Sequence, residues 1–239
     1  MKKLFLAVSA CLLISAAMAQ SKVINDQNAQ TRSVKDFHGI RVSNGIHLYL
    51  TQGNEEAVAV SASDAEYRDR IKTEVRNGVL EIYFDRTGWN SWKDSDRRKL
   101  RAYVSCKVLD QLKGSSGAQV EVDGSIKSGE LVMDFTSGSN FKGDIRVTKL
   151  KMDQNSGAET NISGTATNCT IEASSGSSFK GYDLVTDLCE ASTSSGADLR
   201  ITVNKELSAS ASSGGQIHYK GNGLIRDIST SSGGEVSKR

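Results

Sequence analysis

The chain has 239 residues, 30 basic against 28 acidic side chains, 22 glycines, 6% aromatic residues and no proline. A balance so close to neutral lacks the basic stripe expected of a nucleic-acid binder. Beyond the first 19 residues no stretch approaches the ~20 apolar residues that a membrane-spanning helix needs.

Lys2 and Lys3 precede an apolar run from Leu4 to Ile14, and Ala17-Met18-Ala19 supplies a small-x-small cleavage site. Residues 1–19 therefore read as a secretory signal. Cleavage removes two lysines and leaves 28 basic against 28 acidic residues, from the full-chain counts of 30 and 28. Val8-Ser9-Ala10-Cys11 is a rival processing box that would leave Cys11 lipidated and the protein anchored. Either route predicts an exported protein of the periplasm, outer surface or medium. Three cysteines remain, Cys106, Cys169 and Cys189, and an odd count argues against a full disulfide framework.

After a linker or cap over residues 20–36, period-two alternation predicts strands at Phe37 to Val42, Ile46 to Leu50, Ala57 to Ser61, Val79 to Phe84 and Leu100 to Cys106. Asn44-Gly45 and Asn77-Gly78 are turn signals that each open a strand, and Asp64 to Ile71 suits a short helical turn. Asp85 to Lys99 interrupts this pattern and carries Trp89 and Trp92 among Asp94, Asp96, Arg97, Arg98 and Lys99. Two tryptophans on a loop can stack on sugar rings or anchor a protein. Equally, they can fold back over the body of the molecule.

From residue 115 onward a beat sets in. Seven times a small polar residue, serine and glycine recur, at Gly117, Gly138, Gly157, Gly176, Gly196, Gly214 and Gly233, spaced 21, 19, 19, 20, 18 and 19 apart. A period near 19 marks a solenoid, in which one structural unit stacks on its copies. Apolar positions alternate on both sides of each glycine, as in Leu131 and Met133 before Gly138 and Phe141 after it. A second turn follows at Gly124, Gly143, Gly164, Gly181 and Gly221, with Asn204 as substitute. The predicted fold is all-β: a right-handed parallel β-helix with coils of about 19 residues, less regular N-terminal coils and a cap. In this reading the glycines turn corners, and the stacked hydroxyls and amides hydrogen-bond along the ladder and satisfy turn backbone groups. No Ser-Gly serine has a histidine and aspartate at matched spacing, so a nucleophilic role is not expected.

The run Phe37-His38-Gly39-Ile40-Arg41-Val42-Ser43-Asn44-Gly45-Ile46-His47-Leu48-Tyr49-Leu50, with Asn77-Gly78-Val79-Leu80-Glu81-Ile82 and the Ser-Gly repeats, resembles the head GIN domain family of "putative auto-transporter adhesins". The resemblance covers residues 37–220, leaving 221–239 as last coil and tail. Gly45-Ile46-His47 stands where the family name expects Gly-Ile-Asn. The resemblance implies a β-helix-like fold and a cell-envelope setting of the kind common in Bacteroidetes, and it brings no catalytic residues.

Two sets of residues invite a functional role. Asp134, Asp153 and Glu172 each stand four residues before a repeat glycine, on the outward face of successive coils about 4.8 Å apart. Such a carboxylate ladder could serve a polysaccharide-cleaving site or hold calcium, or be an exposed stack neutralised by Lys151, Lys142, Lys180 and solvent. Trp89 and Trp92 are the second set. Cys169 and Cys189 fall at one repeat position inside the core, either as two thiols or as an inter-coil disulfide. The expected protein is a non-enzymatic, adhesin-like binder of a surface glycan or protein partner, with no cofactor. A polysaccharide-binding or polysaccharide-cleaving protein and a structural envelope protein are the alternatives. Open solenoid ends invite end-to-end or side-by-side association, which the Lys238-Arg239 tail would blunt at one end.

Overall fold

The computed structural model describes residues 26–88 and 98–239. The signal segment, Cys11, Trp89 and Trp92 lie outside the described residues. In chain order the elements are β1 (Gln30–Arg32), β2 (Gly39–Val42), β3 (His47–Gln52), β4 (Ala57–Ser61), α1 (Ala65–Asp69), β5 (Ile71–Arg76), β6 (Val79–Phe84), β7 (Arg101–Cys106), β8 (Gln111–Gly114), β9 (Gln119–Phe135), β10 (Asn140–Gln154), β11 (Glu159–Ala173), β12 (Ser178–Thr193), β13 (Asp198–Ala211), β14 (Gln216–Lys220), β15 (Leu224–Thr230) and β16 (Glu235–Lys238). From β8 to β16 all pairing is parallel and joins each coil to the next, which makes a β-solenoid.

The Ser-Gly beat is a stacked turn. In its first copy Ser116 (φ 52°) and Gly117 (φ 73°) are the central pair, and the Ala118 N–H donates to the Ser115 carbonyl at 3.1 Å. Positive φ at both central positions is the pattern of a type I′ turn. Serine thus shares the left-handed conformation that the sequence predicts for glycine alone, and it does so at all seven copies. The expected ladder of side-chain bonds appears between two turns, where the Thr136 hydroxyl donates to Asn155 Oδ1 at 2.5 Å. The bonds that recur from turn to turn are main-chain, with the Gly117 N–H donating to the Ser137 carbonyl (3.0 Å), Gly138 to Ser156 (3.0 Å) and Gly157 to Ser175 (3.1 Å). A backbone ladder satisfies groups that would otherwise be lost at each corner. Variation in coil length is absorbed elsewhere: register shifts fall beside the second corner at Lys142/Asp144, Asn161/Ser163 and Gly181/Val185, and further along at Thr186/Leu188 and Leu207/Ser208.

Parallel register lines side chains into columns. One core column runs Leu80, Ile40, Leu112, Met133, Met152, Ile171, Ala191, Ala209, Ile228 from one end of the stack to the other. Every member except Ile228 is buried. A second column contains Leu131, Leu150, Cys169, Cys189 and Leu207. Cys169 and Cys189 are therefore direct neighbours in adjacent coils, both buried and both free thiols. A hydrogen bond to Cys189 and burial push the Cys169 thiol up, and burial pushes Cys106 up to about 12, so neither is a thiolate nucleophile.

Order in the chain is not order in the stack. β2 lies between β6 and β8, and β3 between β7 and β9, so the coil formed by β6 and β7 is outermost although it comes later in sequence. Antiparallel strands close this end: β5 on β6, β4 on β7, and β1 on β4. The two Asn-Gly pairs consequently differ in role. Asn44-Gly45 is a coil turn, its Gly45 N–H donating to the Ser116 carbonyl at 3.0 Å. Asn77-Gly78 instead joins the antiparallel hairpin of β5 and β6. Helix α1 starts where Asp64 accepts the Tyr67 N–H. Lys238 stays in register with Tyr219 on β14, and the Arg239 N–H donates to the Tyr219 carbonyl.

Candidate functional site: the outward rows

With apolar residues turned inward, any chemistry falls to the outward rows. On one face of the coil the row runs Glu81, Arg41, Lys113, Asp134, Asp153, Glu172, Ser192, Ser210. The three carboxylates predicted to stack are in direct register on successive strands. Lys113 Nζ lies 3.4 Å from Asp134 Oδ2, and Arg41 3.9 Å from Glu81. Asp153 and Glu172 are exposed and have no cation within ion-pair distance among the described residues. The lysines predicted to neutralise the ladder are distributed differently. Lys151 stands beside Asp153 at the end of β10, whereas Lys142 and Lys180 stand near the starts of β10 and β12, on another face of the coil, and pair with Glu121 (3.9 Å) and Glu159. The ladder therefore keeps two uncompensated carboxylates. Among the described residues no three His, Cys, Asp or Glu side chains converge to hold a metal ion, because side chains on a flat sheet run parallel rather than toward a common point.

A second face of the coil carries residues that sequence reasoning passed over. Its row runs Tyr103, Tyr49, Glu121, Lys142, Asn161, Lys180, Arg200, His218, Ser237. Tyr49 and Tyr103 stack with centroids 5.2 Å apart, and His47 stacks on Tyr49 at 4.2 Å. The Tyr103 hydroxyl donates to Asp26 Oδ2 at 2.9 Å, and burial together with this bond pushes the phenol up to about 12. Burial also pushes His47 down, against the pull of Glu121 3.6 Å away. Because the rings face one another, they offer edges rather than a flat platform. The signal was present as aromatic residues at alternate positions, but their partnership spans strands 54 residues apart in sequence, from Tyr49 to Tyr103.

At the C-terminal end of this row His218 Nδ1 lies 2.8 Å from Ser237 Oγ, and its Nε2 3.9 Å from Asp198 Oδ2. The residue types are those of a nucleophilic triad. The geometry is not, since Asp198 is gripped by the Arg200 guanidinium at 3.0 and 3.3 Å and lies beyond hydrogen-bond reach of the imidazole. The cluster instead ties β16 to β14 and β13.

These faces and this stack define a β-solenoid whose polar outer rows are its accessible chemistry. The family model described as "Putative auto-transporter adhesin, head GIN domain" matches residues 36–223, and the chain belongs to that family. Among solved structures the chain is similar to a "putative adhesin" of Bacteroides fragilis, at 16% identity and TM-score 0.80 over 88% of this chain and 96% of that one. It is also similar to a "putative adhesin" of Parabacteroides merdae (16% identity, TM-score 0.68, 88% and 95% covered). A third is a "putative lipid binding protein" of Parabacteroides distasonis (19% identity, TM-score 0.67, 90% and 98% covered). At these identities the likeness concerns the fold. None of the curated proteins matches the chain. Among the described residues no helix is long and apolar enough to cross a membrane.

Proposed function

We propose that this is an exported, adhesin-like protein that holds a glycan or protein partner against the outer face bearing Asp134, Asp153 and Glu172, without turning it over. The observation that supports this most is the in-register row of Asp134, Asp153 and Glu172, in which, among the described residues, Asp134 alone has a cation at ion-pair distance. Exposed carboxylates at intervals of about 4.8 Å accept hydrogen bonds from sugar hydroxyls or attract ammonium groups along a chain-like ligand. Solenoid faces suit such extended partners. Catalysis would need more: a proton donor, a cation and a water-excluding cleft brought together. The nearest lysines, Lys113 and Lys151, lie flat in the same surface rather than across a cleft.

The test is a glycan array joined to reducing-sugar assays on envelope and host polysaccharides, with and without calcium. Native protein is expected to bind without releasing sugar, and the triple variant Asp134→Asn, Asp153→Asn, Glu172→Gln to lose binding at least tenfold. Sugar release abolished by Asp153→Asn would overturn the non-catalytic proposal in favour of a polysaccharide-cleaving protein.

A further inference from the structure

The two ends of the stack are finished differently. At the N-terminal end Val75 of β5 lies opposite Leu80, and Val60 of β4 opposite Ala102, so the outermost coil has a strand over each edge. At the C-terminal end β15 pairs with β13 and β16 with β14, and neither carries a strand on its outer edge among the described residues. All seven residues of β15 are exposed, Leu224, Ile225 and Ile228 among them. Two of these continue core columns, Ile225 following Leu207 and Ile228 following Ala209. A bulge at Arg226 keeps both in line, because residues three apart on a regular strand would point to opposite faces.

An unpaired edge above open apolar columns is a template for another strand, and the order of side chains on β15 selects which. Turned antiparallel about the peptide between Arg226 and Asp227, a second β15 places its Ile228 opposite Ile225 and its Asp227 opposite Arg226, and the symmetry makes each pair twice. Branched apolar pairs and opposite charges are both favourable across strands, whereas a parallel alignment would set Arg226 beside Arg226. A bulge ordinarily deters edge pairing. Here the dyad-related strand carries the same bulge, so equal numbers of residues face each other across the axis. Arg226 is 3.8 Å from Glu206 of its own chain, an exposed contact of little strength that leaves the guanidinium free to turn.

We propose that two copies of this chain join end to end through antiparallel β15 pairing about a two-fold axis, each covering the other's open core columns. The contact uses the same surface on both copies, so it closes as a dimer and leaves the two N-terminal caps pointing outward. One molecule would then present two carboxylate rows, and two rows on a stiff rod raise avidity for a repetitive surface.

Sedimentation velocity over a range of protein concentrations, with the melting temperature followed in parallel, tests this. The native protein should show a reversible monomer–dimer equilibrium and no larger species. Arg226→Asp sets aspartate opposite aspartate at two places and should weaken the dimer roughly tenfold or more. Arg226→Asp with Asp227→Arg restores the opposite-charge pairs and should restore the dimer. A monomer at every concentration, an open-ended series of oligomers, or a dimer indifferent to Arg226→Asp would each overturn the proposal.

Discussion

Leu80 and Ile228 are the first and last rungs of one core column, yet Leu80 is fully buried and Ile228 is 42% exposed. The column itself is continuous, so the difference comes from what lies beyond it. The N-terminal end has three antiparallel strands over its edge, whereas the C-terminal edge of the single chain carries no strand among the described residues. A solenoid gains its core by stacking, which leaves each terminal coil half-supported. How an end is covered therefore matters as much as what its coil contains.

The sharpest way to break this comparison is to truncate both rungs. Leu80→Ala should cost about 2–5 kcal/mol, as a buried leucine losing its side chain does, while Ile228→Ala, measured at protein concentrations low enough to keep the chain monomeric, should cost about 1 kcal/mol or less because water reaches that side chain in the single chain. Urea unfolding of the two variants checks this, and equal losses would mean that the ends are not differently supported. The two kinds of corner allow a second contrast. A methyl group on Gly164 (φ +107°) would strike the Ile145 carbonyl oxygen, whereas one on Gly176 (φ +69°) meets open space. Gly164→Ala should therefore destabilise by about 3 kcal/mol through overlap and strain together, and Gly176→Ala by about 1–2 kcal/mol through left-handed strain alone. Thermal melts of the pair would read the difference.

The smallest expected effect concerns alkaline pH. The Tyr103 phenol is raised in the folded state to about 12 from its ordinary value of 10.0. The stabilisation is fully present below the unfolded value and fades as pH rises toward the folded one. Tyr103 sits on β7 against Asp26, so hydrogen exchange should accelerate in β4 and β7 above about pH 10 before it does in β11 and β12. Tyr103→Phe should remove the added pH dependence. Uniform acceleration along the stack would show that this contact does not hold the cap.

The repeats were legible in the sequence because their signal is local. Each Ser-Gly turn fixes a corner, and alternation on either side assigns inward and outward rows, so the stacking of Asp134, Asp153 and Glu172 follows from counting residues. The N-terminal end was legible only in part. Asn44-Gly45 and Asn77-Gly78 look alike as turns, yet one sits in the coil stack and the other joins a hairpin. The choice depends on which strands pair across long separations, and turn chemistry cannot report that. The partners of Lys142 and Lys180 were misplaced for a related reason: alternation says that a residue points outward but not from which face of the coil it leaves. Serine in the left-handed conformation was missed because glycine beside it is sufficient to explain a turn.

The Ser-Gly turns build the scaffold, and the proposed binding falls to the carboxylate row. Binding to a surface polysaccharide or partner separates the two when compared for three proteins of verified fold: native, the Asp134→Asn, Asp153→Asn, Glu172→Gln variant, and a Lys142→Gln, Lys180→Gln variant altered on another face of the coil. Loss of binding confined to the carboxylate variant, at an unchanged melting temperature, is the predicted result. Full binding by that variant, or an equal loss from the lysine variant, would contradict it.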